Sequence, residues 1–430
     1  MKLSHYQNLL AVSAVAIFYT NLPLYLYRMG VTLRMEAPKH WVLGLAAASI
    51  PILYMQCFAI DVRRLPILIW CAIYLWVSII GFFPSLQSDL DWQGLRYCFF
   101  QVISFFTMAM VFCNQKAVWW ARTTLIATVC VGVLLNIYEL FYPMTFTPSA
   151  SMLGSAEDGL AIPGRSAGFY LNANQAATAL AAGMILAVPA LEQRWRAPFM
   201  LFVGVGLIPT FSRQGMVAWG IAVLGSALTR KITAKDLMVS GLIGLLLATL
   251  VVLPRWDNWV NLWQHTGVWN KNIEERLYWF MNPTIEVSAY DIASQERARL
   301  TARAWDSVMN HPLIGLGTGA SLSGWLPHNM YLLFLLEHGI LGAAVFPLLI
   351  LATVWSARGE AKTTGIIFAV AIGFMGFFSH TMLNDTYFMT LFSLMAAIAA
   401  TSRETEAGNL NYAPVQVPPT MRRADYAPGM

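Results

Sequence analysis

The chain reads as an all-α, polytopic membrane protein, and three observations carry that reading. Of its 430 residues, 57% are hydrophobic and only 11% are charged, a balance far from that of soluble globular domains. The mean hydropathy is +0.57. The apolar residues also gather into runs of roughly 17–25, the length that a helix needs to cross a hydrocarbon layer of ~30 Å. About twelve such runs follow one another.

The first run, 8–27, is preceded by Lys2 and His5 and followed by no small-residue cleavage signature, so it is expected to be a retained helix. Runs at 41–60, 65–83, 95–114 and 118–142 come next, then 175–192, 198–212, 215–229 and 236–253. Only Arg213-Gln214-Gly215 separates the seventh run from the eighth, so a re-entrant pair is the alternative there. Runs at 329–355, 364–383 and 386–401 complete the set. The five cysteines (Cys57, Cys71, Cys98, Cys113, Cys130) all sit inside apolar runs without C-x-x-C spacing. They are expected to be small core residues rather than disulfides or zinc ligands.

Charge placement orients the bundle. Net charge is +5, and the basic residues cluster at Arg63-Arg64, Lys116 with Arg122, Arg194 with Arg196, Arg230-Lys231 with Lys235, and Arg358 with Lys362. Arg403, Arg422 and Arg423 continue the pattern in the tail. These are alternate loops, as expected of cytoplasmic ones. With an even span count both termini lie in the cytoplasm, although Arg28, Arg34 and Lys39 break the rule in the first outer hairpin. Nothing in the pattern suggests nucleic-acid binding. The predicted organisation is one integral membrane domain over 1–402, with outer loops 143–174 and 254–328, and a disordered cytoplasmic tail over 403–430.

The loop 254–328 is too long to be a plain connection. Trp256, Trp259, Trp263 and Trp269 suit helices lying in the headgroup layer. Ser294 opens a helical run reaching Asn310, just before the helix-breaking Pro312. The loop ends in Pro327-His328-Asn329, at the mouth of the tenth span. An imidazole there, close in sequence to Arg276, Arg297, Arg299 and Arg303, sets a candidate base beside a candidate polyanion clamp. The bland reading of His328-Asn329 is a solvated residue and a helix cap; for each arginine it is a solvated side chain or an ion pair.

Arg299 and Arg303 lie four apart, on one helical face, where paired guanidinium groups suit a diphosphate. Arg213 stands between two apolar runs on the outer side, where a cation is costly and a bound anion would justify it. Arg165, in Gly164-Arg165-Ser166-Ala167-Gly168-Phe169 ahead of Asn172 and Asn174, is a weaker candidate because its glycine- and proline-rich loop is expected to be mobile. Glu337, His338, His380 and Asp385 are secondary candidates, for which a helix-packing hydrogen bond weighs as much as function. The sequence has no nucleotide-binding glycine loop, no H-E-x-x-H and no D-x-D pair in the outer loops 143–174 and 254–328. Neither a metal nor another cofactor is therefore expected, and arginine would take the metal's place on a diphosphate.

Four motifs in order carry a resemblance. They are Arg165-x-x-Gly168-Phe169 with Asn172 and Asn174, Phe211-Ser212-Arg213-Gln214-Gly215, His311-Pro312-Leu313-Ile314-Gly315-Leu316-Gly317, and His328-Asn329 followed by Gly339-x-x-Gly342. Over roughly 160–345 the chain resembles the bacterial O-antigen ligase and polymerase superfamily. The resemblance implies a GT-C-type membrane glycosyltransferase fold and an active site facing the periplasm from the inner membrane. It implies an undecaprenyl-diphosphate-linked glycan as donor and, for a ligase, the lipid A-core oligosaccharide as acceptor. It carries a catalytic histidine onto His328 and functional arginines onto Arg213 and Arg299. Arg303 and Arg165 join the expected diphosphate site, with Asn329, Asn172, Asn174, Arg297 and Arg276 in support.

The rival in the same chemistry is a Wzy-type polymerase, whose outer arginines are followed after ten residues by glycine; none of the arginines named here is. A protein O-oligosaccharyltransferase would need a further folded region after the last span. A lipid-glycan flippase, from a different class, would set its charges along a path at the bilayer midplane instead of in one outer loop.

Overall fold

A computed structural model describes residues 3–30, 37–56, 65–83, 88–143, 145–146, 164–247, 249–250, 254, 256–265, 274, 292–323 and 327–411. Among them every regular element is a helix. In chain order these are α1 (Leu3–Ala14), α2 (Leu22–Arg28), α3 (Ala37–Gln56), α4 (Pro66–Phe82), α5 (Asp89–Phe112), α6 (Gln115–Phe141), α7 (Ala173–Ala187) and α8 (Gln193–Leu207). There follow α9 (Arg213–Leu228), α10 (Ala234–Leu247), α11 (Trp256–His265), α12 (Ile292–Asn310), α13 (Met330–Ala343), α14 (Val345–Val354), α15 (Gly359–Gly376) and α16 (Thr386–Asn411).

Each of the twelve expected apolar runs contains a helix, yet fewer meet the length and apolarity that a membrane crossing demands. Among the described residues three do: α5, α6, and α7 continued to Ala190. The number rises to five when two bent pairs each count once, α1 with α2 at 47° and α13 with α14 at 70°. Some of the others, among them α3, α15 and α16, are long enough but not apolar enough, while α8 and α9 are kept short by a breaker between them. A 3-10 turn over Ile208–Thr210, with Pro209 inside it, ends α8, and Ser212 caps α9 by accepting from the Gly215 N–H at 3.3 Å. The seventh and eighth runs are thus two separate helices joined by a tight turn.

The core centres on α16 and α7. From Tyr387 to Ala400 nearly every α16 residue is buried, and Tyr387, Phe388 and Phe392 are among the largest fully buried side chains. Hydroxyls of this helix find carbonyl acceptors: Thr390 Oγ1 donates to the Thr386 carbonyl at 2.8 Å, and Thr386 and Ser393 donate to the Phe18 and Phe105 carbonyls of neighbouring segments. Alanine-rich α7 lets its neighbours approach closely, and a Cβ on Gly215 of α9 would collide with that of Ala177. The helix of α16 continues to Asn411, past the boundary at 403 where a disordered tail was expected. Arg403-Glu404-Thr405-Glu406-Ala407 contains enough good helix formers to prolong a helix that is already nucleated.

The two ends of the bundle differ in charge. Where α6, α8 and α15 begin and α7 and α9 end, Arg122 Nε donates to the Leu186 carbonyl at 3.1 Å. Nearby, Arg196 pairs with Glu360 at 3.3 Å and buried Lys231 donates to Thr364. The opposite ends of these helices carry the candidate site. Of the cysteines, Cys71 and Cys98 are buried, Cys113 and Cys130 are half-buried, none of these four forms a disulfide, and Cys57 lies outside the described residues.

Candidate functional site

His328 occupies the middle of a tight turn in which the Asn329 N–H donates to the Pro327 carbonyl at 2.7 Å. Asn329 caps α13: its Oδ1 accepts from the Tyr331 and Leu332 N–H groups at 2.9 and 3.1 Å. The cap is the structural role foreseen for Asn329, and it holds the neighbouring imidazole at the mouth of the helix. His328 is half-buried, with its ring 4.4 Å from that of His380 and nearly perpendicular to it, at 77°. Burial, and secondly the nearby Arg297 guanidinium, hold its pKa below the ordinary imidazole value. Burial, then His328 and Arg297, push His380 down to about 4.

Arg297 reaches this pair because of its place on α12. That helix packs on α13 through Ala304 and Val308, which meet Leu332 and Leu336. At ~100° per residue, Arg297 lies on the same stripe as Ala304 and Val308, while Arg299 and Arg303 point well away from it. Burial agrees, with Arg297 half-buried and both others exposed. The two arginines expected to clamp a diphosphate therefore share a face as foreseen, but it is the outer face. The arginine beside His328 is Arg297, previously a supporting residue. Helical periodicity shows which residues share a face and leaves open which face packs inward.

The motif His311–Gly317 docks on a break in α13. Gly339 adopts φ +57°, ψ −145°, which interrupts the helix and frees its carbonyls. Leu316 and Gly317 donate to the Leu336 and Glu337 carbonyls at 2.8 and 3.0 Å, and the Ile340 N–H donates to the Pro312 carbonyl at 2.9 Å. A Cβ on Gly339 would collide with the backbone of Leu313. Two sequence motifs with separate signatures are in fact one joint. Beyond it Ser321 Oγ donates to Glu337 Oε1 at 2.5 Å, so Glu337 has the packing hydrogen bond weighed against function, and Glu337 Oε2 lies 3.7 Å from His338 Nε2.

Arg165 is not loosely held. It is buried, with Nε donating to the Thr210 carbonyl and Nη2 to Asn174 Oδ1, both at 2.8 Å, while the Ser166 N–H donates to the Pro209 carbonyl at 2.9 Å. The segment counted as mobile is thus stitched to the turn leading into Arg213. Fixing a buried guanidinium takes several acceptors at once, and Asn174 nine residues away was the clue. Glu139 holds the same segment by accepting from the Ala167 and Gly168 N–H groups at 2.7 and 2.9 Å. Asn172 caps α7 by accepting from the Asn174 N–H at 2.9 Å. Arg213, half-buried, is the first residue of α9, and its neighbour Gln214 donates to the Met375 carbonyl at 3.1 Å. Arg276 and Trp269 lie outside the described residues.

The loop between α15 and α16 joins the two halves. At one end His380 meets His328; at the other Asp385 accepts from Gln175 at 3.2 Å, Thr381 at 2.6 Å and Tyr387 at 2.9 Å. No protein-family model matches the chain. No curated protein is significantly similar to it.

Sequence reasoning left out one group that the fold brings to His380. Tyr74 donates to Gln101 Oε1, and Gln101 Nε2 donates to Asn384 Oδ1, both at 2.6 Å. Tyr74 and Gln101 belong to α4 and α5, where only hydropathy had drawn attention. Gln101 in the middle of an apolar run was the available signal, since an amide at membrane depth needs a partner.

Proposed function

We propose that this chain is an inner-membrane glycosyltransferase of the O-antigen ligase kind, built on a GT-C-type fold with about twelve spans. It moves a glycan from undecaprenyl diphosphate to a sugar hydroxyl of the lipid A core on the periplasmic side. The observation that carries this reading is the placement of His328: half-buried, beside a helix cap, and close to Arg297 at the end of the bundle opposite the Arg122, Arg196 and Lys231 cluster. The cationic end supports a cytoplasmic assignment for itself and a periplasmic one for the site.

The chemistry is a single displacement. His328 takes the proton of the acceptor hydroxyl as that oxygen attacks the anomeric carbon. The bond from the anomeric carbon to the diphosphate oxygen breaks, its electron pair leaves with the diphosphate, and the configuration inverts. Arg213, Arg165 and Arg297 supply positive charge for the leaving diphosphate. Arg297 takes over the clamp role first given to Arg299 and Arg303, because it is the arginine on the His328 side of α12. Neither ATP nor a metal enters the scheme, since the glycosyl diphosphate already carries the driving force.

The test is reconstitution of the purified chain in lipid with an undecaprenyl-diphosphate-linked glycan and lipid A-core, with the product resolved by size. Capped core is the expected product. Elongated lipid-linked glycan in its place would make the chain a polymerase, and a glycan that crosses the bilayer without forming a new bond would make it a flippase.

A further inference from the structure

A cavity of about 50 Å³ with mixed polar and apolar walls lies beside His380, with about 490 Å³ of empty space once its open mouth is counted. Tyr74, Gln101, Glu337, His338, His380 and Asn384 are among its lining residues. Several of its polar atoms lack a protein partner: His338 Nδ1, His380 Nδ1 and Ser78 Oγ are all buried without one. His338 is only 2% exposed and Ser78 is fully buried, so bulk solvent does not satisfy them. Orphaned polar atoms gathered around one void call for a polar occupant.

We propose that this cavity receives the terminal hexopyranose of the acceptor glycan, an uncharged sugar, and presents one of its hydroxyls to His328. The inference rests on the transferase reading above and adds the acceptor's subsite to it. The lining chemistry selects the ligand class. Among the described lining residues there is no lysine or arginine, and Glu337 stands in the wall, so a phosphate or an acidic sugar is disfavoured. Imidazole nitrogens, amides, a carboxyl and hydroxyls at short spacing match the mixed donors and acceptors around a pyranose ring. The Tyr74–Gln101–Asn384 chain fixes the orientation of two of these groups in advance. The inner part is narrow, so it takes the rim hydroxyls of one ring while the rest of the glycan leaves through the mouth, where Asn384 is exposed. His380 belongs to both places, lining the cavity and touching His328, and so sets the distance from the bound sugar to the base.

The experiment uses the full chain in nanodiscs with two readouts. Methyl hexopyranosides serve as probes in saturation-transfer NMR: signal is expected with the wild type and should be lost in His338→Gln and Asn384→Ala. In the transfer assay the same variants should raise the KM for lipid A-core about tenfold, the effect of one or two lost hydrogen bonds. The KM for the lipid-linked donor should stay unchanged. Absence of saturation transfer in the wild type would mean that the cavity holds water alone and would overturn the proposal, as would variants with an unaltered acceptor KM. A rise confined to the donor KM would also overturn it, by giving the cavity to the donor glycan. Transfer retained by His328→Ala would sink the base assignment, and the NMR arm would still report on the cavity.

Discussion

The rings of His328 and His380 meet edge to face at 4.4 Å, although one stands before α13 and the other between α15 and α16. Both are depressed in pKa, and the Arg297 guanidinium contributes to each shift. His328 is therefore a neutral imidazole at neutral pH, the form in which it accepts a proton. Three chain segments far apart in sequence thus fix the protonation state of one side chain.

Arg297→Gln is predicted to move the acid limb of the transfer rate to higher pH. Removing the cation takes away one of the two effects that lower the His328 pKa, and burial, the larger, remains. With a raised pKa the imidazole protonates earlier as the pH falls, so the loss of rate begins at a higher pH than in the wild type. The check is a pH profile of kcat/KM from about pH 5 to 8. An unmoved limb would separate Arg297 from His328.

Arg165→Lys and Arg213→Lys are predicted to fail for different reasons. At position 165 a lysine cannot reach both the Thr210 carbonyl and Asn174 Oδ1 in the fork geometry, which leaves a buried acceptor unmet at a cost of about 1–3 kcal/mol. The variant should melt earlier in detergent. At position 213 the side chain is half-buried at the start of α9, so the lysine variant should melt normally and still transfer poorly. Full activity of Arg213→Lys would reduce that residue to a point charge.

Gly339→Ala is predicted to loosen the joint between α13 and residues 311–317. This positive-φ extended backbone is essentially confined to glycine and costs an L-residue about 1–3 kcal/mol, and the new methyl would in addition strike the Leu313 backbone. Limited proteolysis should become faster between α12 and α13, and the transfer rate should fall with it. Proteolysis at the wild-type rate would contradict the reading of the two motifs as one joint.

How far the sequence discloses this arrangement depends on the kind of signal. Helices follow from apolar runs, and the helix of 292–310 is legible from Ser294 and Pro312 almost to the residue. The Asn329 cap is equally local. Arg297 was outranked by Arg299 and Arg303 because spacing tells which residues share a face, whereas Ala304 and Val308 become an anchor only once α13 is there to meet them. Arg165 was misjudged because one of its two acceptors, the Thr210 carbonyl, is a distant backbone group with no signature in sequence. The Tyr74–Gln101–Asn384 chain joins two helices to the loop between α15 and α16 and is invisible to any local pattern.

Transfer is predicted to persist in excess EDTA and without ATP. The outer loops 143–174 and 254–328 hold no D-x-D pair, and of the outer pair Asp89-Leu90-Asp91 the second carboxylate is engaged in the capping box with Ser88 rather than free to ligate Mg²⁺. Loss of activity in EDTA with recovery on adding Mg²⁺ or Mn²⁺ would replace the arginine scheme with a metal one.

The central claim is that His328 is the base of a glycan transfer, and the most direct measurement is single-turnover transfer by His328→Ala in the reconstituted system. The acceptor hydroxyl has a pKa far above neutrality, so loss of a positioned base should slow the step roughly 10²–10⁴-fold. The variant should still fold, because the helix cap belongs to Asn329 and not to His328. A single-turnover rate within a few-fold of wild type, from protein that melts normally, would contradict the account.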